Sequence, residues 1–117
     1  MNKKNIDKLI PEAIEKLQSL QSKDGSIDKV YQGYLASFGP TVISSGIVKT
    51  VTIYVDKDKS NKKRREVTKI IFDLIGQNPD DFIKDEKNST NYTLKNKILE
   101  ANIACKLSIR TFNLQGE

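Results

Sequence analysis

The stretch TVISSGIVKTVTIYV, residues 41–55, decides how this chain folds. Branched and aromatic residues that favour strands dominate it. A strand with one buried face, however, would place Lys49 on the same side as Ile47 and Val51. A helix instead collects five apolar side chains in one stripe and leaves Lys49 outside it. That stripe consists of Ile43, Ile47, Val51, Tyr54 and Val55. Because burial outweighs intrinsic propensity, the pattern predicts a helix over residues 41–55.

The residues before this stretch predict a second helix and a hinge. Apolar side chains recur at helical spacing from about residue 27 to residue 38. Gly39 and Pro40 follow, and proline is favoured in the first turn of a helix. The sequence therefore predicts a hinge at Gly39-Pro40, with a new helix beginning there.

Helical periodicity continues through most of the remaining chain. Apolar residues at steps of three and four predict helices over residues 5–22, 63–75 and 92–112, with a short helical turn at 79–83. A length of 117 residues is typical of one domain. The sequence therefore predicts an all-α fold, a compact bundle of five to six helices in a single domain, residues 1–117.

Composition narrows the classes of function. The chain contains no histidine, so the usual imidazole base is missing, and its one cysteine, Cys105, falls in an apolar stripe typical of a core residue. We expect no enzymatic activity, no cofactor and no metal site. No apolar stretch approaches the roughly 18 residues of a membrane span, and the amino terminus lacks a secretory signal. We therefore expect a cytoplasmic protein without membrane partners.

Charge is unevenly distributed within a net charge of +5. Residues 56–69 carry seven basic and three acidic side chains, whereas residues 70–89 carry five acidic and two basic ones. The basic residues are Lys57, Lys59, Lys62, Lys63, Arg64, Arg65 and Lys69. Such a cluster can neutralise the phosphates of a nucleic acid, and we take these seven as candidate RNA-binding residues. The alternative is a solvated loop that leads into the polar start of a helix.

Four acidic residues in the second segment are candidates for contacts between subunits. They are Asp80, Asp81, Asp85 and Glu86. Their spacing does not match a calcium-binding loop, so an acidic surface loop is favoured over a metal site. We hypothesise that this acidic region meets the basic loop of a further copy, because such a head-to-tail contact propagates a stack.

With the helices placed, the chain resembles the small subunit of the type III-B (Cmr) CRISPR RNA-targeting complex over nearly its whole length. The first shared features are a tyrosine-bearing helix that meets Pro40, followed by the runs Val42-Ile43 and Gly46-Ile47 with two small polar residues between them. A helix with a threonine-rich end then leads to the basic segment 57–65. The last features are the run Ile70-Ile71-Phe72-Asp73-Leu74-Ile75 and a long final helix that opens at Tyr92 and carries Ala101 and Ala104. The chain departs from the family in lacking tryptophan and in having isoleucine, where leucine is common, after the glycine.

The resemblance implies a non-catalytic structural subunit of an antiviral RNA-guided ribonucleoprotein. Several copies would stack along the guide–target RNA, beside the backbone subunits that hold the guide RNA, and their basic faces would accommodate RNA. Two other hypotheses stay open. One is a helical protein–protein adaptor without a nucleic-acid role, and the other is a small enzyme that uses carboxylates and lysine.

Overall fold

Six α-helices occur in residues 1–58 and 60–116, the residues that this computed structural model describes. They are α1 (Lys3–Leu17), α2 (Val30–Ser45), α3 (Ile47–Val55), α4 (Lys62–Asp73), α5 (Pro79–Lys84) and α6 (Tyr92–Ile109). Short 3₁₀ turns follow α1 at Gln18–Leu20 and α5 at Glu86–Thr90. The predicted all-α bundle is therefore confirmed. Across the described part of the chain, no helix has the length and apolar character needed to cross a membrane.

The longest helix, α6, lies at the centre of the bundle and packs against α1, α2 and α4. Five of its apolar side chains have no solvent exposure, namely Ile98, Ala101, Ala104, Cys105 and Ile109. Burial raises the pKa of the Cys105 thiol to about 12, so this cysteine belongs to the core and remains a thiol at neutral pH.

The predicted hinge at Gly39-Pro40 is wrong, because α2 continues through both residues to Ser45. Pro40 cannot donate a hydrogen bond to the carbonyl of Ala36, but its side chain is exposed and the helix tolerates this single loss. The chain instead turns at Gly46, which has φ 87° and ψ 160°. Residues that carry a side chain rarely adopt a positive φ, so glycine suits this junction between α2 and α3.

The turn at Gly46 also changes which side chains of residues 41–55 face inward. The helical prediction for this stretch is confirmed on both sides of the glycine. Ile43, predicted to face inward, is 84% exposed because it continues the phase of α2, whose buried neighbour is Val42. Ile47 and Val51 begin a new buried stripe after the turn. The prediction was therefore right about the secondary structure and wrong about Ile43.

A short pair of parallel strands was not predicted. Residues Ile27–Asp28 form β1 and Leu114–Gln115 form β2, and the two are hydrogen-bonded in parallel. The predicted start of the second helix at about residue 27 is therefore wrong, because β1 precedes α2. The last helix likewise ends at Ile109 rather than at residue 112. Two residues in each strand are too few to produce an alternating apolar pattern.

Three helices, α3, α4 and α5, pack together around the basic segment. Helix α3 packs against α2, α4 and α5. The rings of Phe72 in α4 and Phe82 in α5 meet edge to face, with 5.4 Å between their centroids. The beginning of α5 is thus held beside α4, next to the loop that carries the cations.

The junction at Gly46 can be tested against a glycine in an ordinary helical conformation. An alanine at position 46 would have to hold its backbone at an unfavourable positive φ, so Gly46→Ala should lower the free energy of unfolding by about 1–3 kcal/mol. Gly33→Ala is the matched control, because its added methyl group meets nothing within 4 Å. It should stabilise α2 by about 0.5–1 kcal/mol. Urea denaturation measures both changes, and an equally stabilising Gly46→Ala variant would contradict the assigned turn.

Candidate nucleic-acid interface

The predicted basic cluster lies in the loop after α3 and along α4. Lys59 falls outside the described residues. The other six cations divide into side chains that bond to other residues of the protein and side chains that have no such partner among the described residues. This division determines which of them can reach a nucleic acid.

Lys63 connects α4 to β1. Its ammonium nitrogen lies 2.6 Å from the Oδ2 atom of Asp28, and 6.0 Å from the centroid of the Tyr31 ring. The hydrogen bond from Lys63, followed by that from the backbone N–H of Val30, lowers the pKa of Asp28. The same bond raises the pKa of Lys63. Lys63 therefore already has an anionic partner within the protein.

Arg64 lies against two tyrosine rings. Its guanidinium carbon is 5.2 Å from the centroid of Tyr54 and 5.7 Å from that of Tyr34. Its Nε donates a hydrogen bond to the hydroxyl of Ser60 at 2.9 Å. A guanidinium held against aromatic rings contributes to stability, so Arg64 has a structural role.

Ser60 is a buried residue that joins this arrangement to the end of α3. Its hydroxyl donates to the carbonyl of Tyr54 at 2.7 Å, while it accepts from Arg64. Its carbonyl accepts from Nη1 of Arg65 at 2.7 Å. The next residue, Asn61, caps α4 by accepting from the backbone N–H of Arg64 at 2.8 Å. Together these bonds hold Ser60 and Asn61 between the end of α3 and the start of α4.

Three further cations, Lys57, Lys62 and Lys69, are exposed. Within residues 1–58 and 60–116, none of these three ammonium groups has an ion-pair or hydrogen-bond partner. In α4, Lys62 and Lys69 are seven residues apart, with Arg65 between them at a spacing of three and four. These positions share one side of the helix.

Three of the cations line a cleft, here called the basic cleft. Its volume is about 360 Å³. The lining residues are Val55, Lys57, Arg65, Lys69, Asn78, Pro79 and Asp80. They come from the end of α3 and the loop after it, from α4, and from the start of α5 and the residue before it. The basic cleft thus combines three cations, one carboxylate and two apolar side chains.

The four predicted acidic residues do not form one surface feature. Asp80 lines the basic cleft, beside cations of its own molecule. Asp81 lies 4.0 Å from the ammonium nitrogen of Lys84, and Asp85 caps the following 3₁₀ turn by accepting from the backbone N–H of Lys87 at 3.0 Å. Glu86 is exposed. Contact of these residues with a further copy stays a prediction, although Asp80 already lies beside internal cations.

The described part of the chain contains no group of three or more Cys, Asp or Glu side chains arranged to hold a metal ion. Sequence reasoning missed Val55, Asn78 and Pro79 as neighbours of the cations. The available signal was Asn78 before Pro79, which is typical of a capped helix start, but nothing local indicates that this start lies beside α4.

Comparison with known proteins yields no match to a family model, a curated protein or a solved structure. The resemblance to the small subunit of the Cmr complex therefore stays a prediction that depends on the residues quoted above. The chemistry of the site rests on its geometry and charge.

The structural role of Arg64 can be tested without changing its charge. Arg64→Lys removes the planar group that contacts Tyr34 and Tyr54, and should lower the free energy of unfolding by about 1–2 kcal/mol. Lys62→Arg is the control, because Lys62 is exposed in the same helical turn. It should change stability by no more than about 0.5 kcal/mol. Equal effects of the two variants in urea denaturation would show that the aromatic contacts do not hold Arg64.

Proposed function

We propose that this chain is a non-catalytic structural subunit of a type III-B (Cmr) CRISPR ribonucleoprotein, and that it contributes a basic surface to RNA. Several copies would stack along the guide–target RNA, next to the backbone subunits that hold the guide. In this role the protein supports antiviral defence, and RNA cleavage belongs to other subunits. The sequence resemblance supports the proposed family, and the basic surface supports a contact with RNA.

The observation that carries the RNA role is the group of exposed cations around α4. Lys57 and Lys69 line the basic cleft, and Lys62 continues the same side of α4 beyond it. Arg65 uses one of its five N–H groups on Ser60. Cations at neighbouring positions on one surface favour a ligand with repeated negative charges, and the backbone of RNA is such a ligand.

The internal contacts narrow the candidate RNA-binding residues. Lys63 and Arg64 bind Asp28 and the tyrosine rings, so moving them onto a phosphate would break contacts within the fold. We therefore assign the RNA contact to Lys57, Lys62, Arg65 and Lys69. Lys59 retains its place as a candidate on sequence alone.

Salt dependence of RNA binding tests this assignment. Replacing Lys57, Lys62 and Lys69 together with glutamine should make the slope of log affinity against log salt shallower by about two, because each phosphate contact on a single strand contributes roughly 0.7. Fluorescence anisotropy with a labelled single-stranded RNA at several salt concentrations measures the slope.

The control variant replaces Lys4, Lys8 and Lys23 with glutamine; these three lysines are exposed and lie outside the basic cleft. This control removes the same positive charge from the protein. If the cluster binds RNA, the change in slope must therefore be larger for the Lys57, Lys62 and Lys69 variant than for the control. Equal slopes for the two triple variants would show that RNA responds only to net charge. A wild-type slope near zero would favour the protein–protein adaptor instead.

Co-purification tests the proposed place in an assembly. A tagged copy of the chain, isolated from the cells that express it, should retain a short guide RNA and larger partner subunits. On size-exclusion chromatography, the elution volume of the tagged chain should rise to that of the bare chain after nuclease treatment and high salt, because RNA and charge help to hold the assembly together. Recovery of partner proteins without any RNA would support the adaptor hypothesis and contradict the ribonucleoprotein.

A further inference from the structure

The basic cleft contains one carboxylate among its cations, and this combination points to more than a phosphate. We propose that the basic cleft binds one ribose–phosphate unit of single-stranded RNA, with Asp80 accepting a hydrogen bond from the ribose 2′-hydroxyl. The chain would thereby discriminate RNA from DNA. This inference rests on the proposed RNA role and specifies which chemical group the site recognises.

The first turn of α5 favours an acidic residue at position 80, but attraction of phosphate does not account for a carboxylate in the basic cleft. A cleft that only attracted phosphate would bind more tightly without a carboxylate, because the carboxylate repels an anionic ligand. A carboxylate is an acceptor of hydrogen bonds, so its partner in the ligand must be a donor. The 2′-hydroxyl is the donor that an RNA backbone has and a DNA backbone lacks. Acidic side chains bind ribose hydroxyls in this way in dinucleotide-binding folds.

The start of α5 fixes the backbone that carries the carboxylate. The side-chain oxygen of Asn78 accepts from the backbone N–H of Asp80 at 2.8 Å and from that of Asp81 at 3.2 Å. Pro79 between them is buried. The backbone that carries Asp80 is therefore anchored, which keeps its side chain at the edge of a cleft whose other charged residues are Lys57, Arg65 and Lys69.

The size and lining of the basic cleft suit a single nucleotide. Its volume of about 360 Å³ lies at the lower end of the range of roughly 300–1,000 Å³ for small-molecule sites. Val55, which is half-buried at the wall of the cleft, offers apolar surface for the carbon atoms of a sugar. Lys62 lies farther along the same side of α4, where the phosphate of a neighbouring nucleotide would meet it.

The decisive experiment compares two strands that differ only in the sugar. Fluorescence anisotropy at low salt gives the affinities for a labelled oligouridylate and for the oligodeoxyuridylate of the same length. The wild-type chain should prefer the RNA by about three- to tenfold, as one hydrogen bond to a charged acceptor in a solvent-exposed site allows. The ratio of the two affinities is the readout, because it cancels general electrostatic attraction.

Two single substitutions separate the 2′-hydroxyl contact from net charge. Asp80→Ala should bring the ratio close to one, by weakening RNA binding relative to DNA binding. Asp81→Ala is the matched control, since Asp81 is the next residue of α5, is exposed and does not line the basic cleft. It should strengthen the binding of both strands equally and leave the ratio unchanged. Circular dichroism and urea denaturation verify that both variants fold.

A third variant tests whether the strand binds in the basic cleft. Lys69→Gln should weaken the binding of RNA and DNA by the same factor, because the phosphate is common to both. Unchanged affinities for this variant, or an Asp80→Ala ratio equal to that of the wild type, would overturn the inference. Equal wild-type affinities for the two strands would overturn it while leaving the RNA role intact. Failure of the wild type to bind either strand would reject the proposed RNA role as well.

Discussion

The burial of one side of α6 is the constraint on which the rest of this structure depends. Ile98 and Ile109 are completely buried, and removing such side chains from water contributes about 1.5–3 kcal/mol each. The small side chains of Ala101 and Ala104 between them leave room for neighbouring helices. Because α2 and α4 pack on this helix, α3 and α5, which pack on them, are placed around the basic cleft. The candidate site is therefore a consequence of the core.

The contacts of Ser60, Lys63 and Arg64 explain how a basic run can begin a helix. The positive end of the helix dipole disfavours cations in the first turn of α4. The carboxylate of Asp28 and the ring of Tyr54 offset this cost by binding two of these cations. The basic run thus combines two roles, because Lys63 and Arg64 support the fold while Lys62 is exposed.

The periodicity of apolar residues sufficed to predict the helices. It failed to predict features that depend on packing between distant residues, namely the position of the turn and the basic cleft. The position of Lys49 correctly excluded a strand in residues 41–55. The choice between Gly39 and Gly46 as the turn could not be made locally, because proline is tolerated inside α2 only on its exposed side. The basic cleft was also beyond sequence reasoning. Asp80 looked like part of an acidic loop, and its place beside Lys57 follows from the packing of α5 on α3 and α4.

The number of available cations argues that the proposed RNA role belongs to an assembly. Four phosphate contacts from one molecule give binding that falls steeply with salt, by a slope of about three. One copy alone would therefore bind RNA weakly at cellular ionic strength. When several copies are fixed along the same strand, each later contact becomes intramolecular, and the combined affinity rises by orders of magnitude without any new contact. In the proposed assembly, a chain with this modest basic surface would therefore obtain most of its affinity from the array.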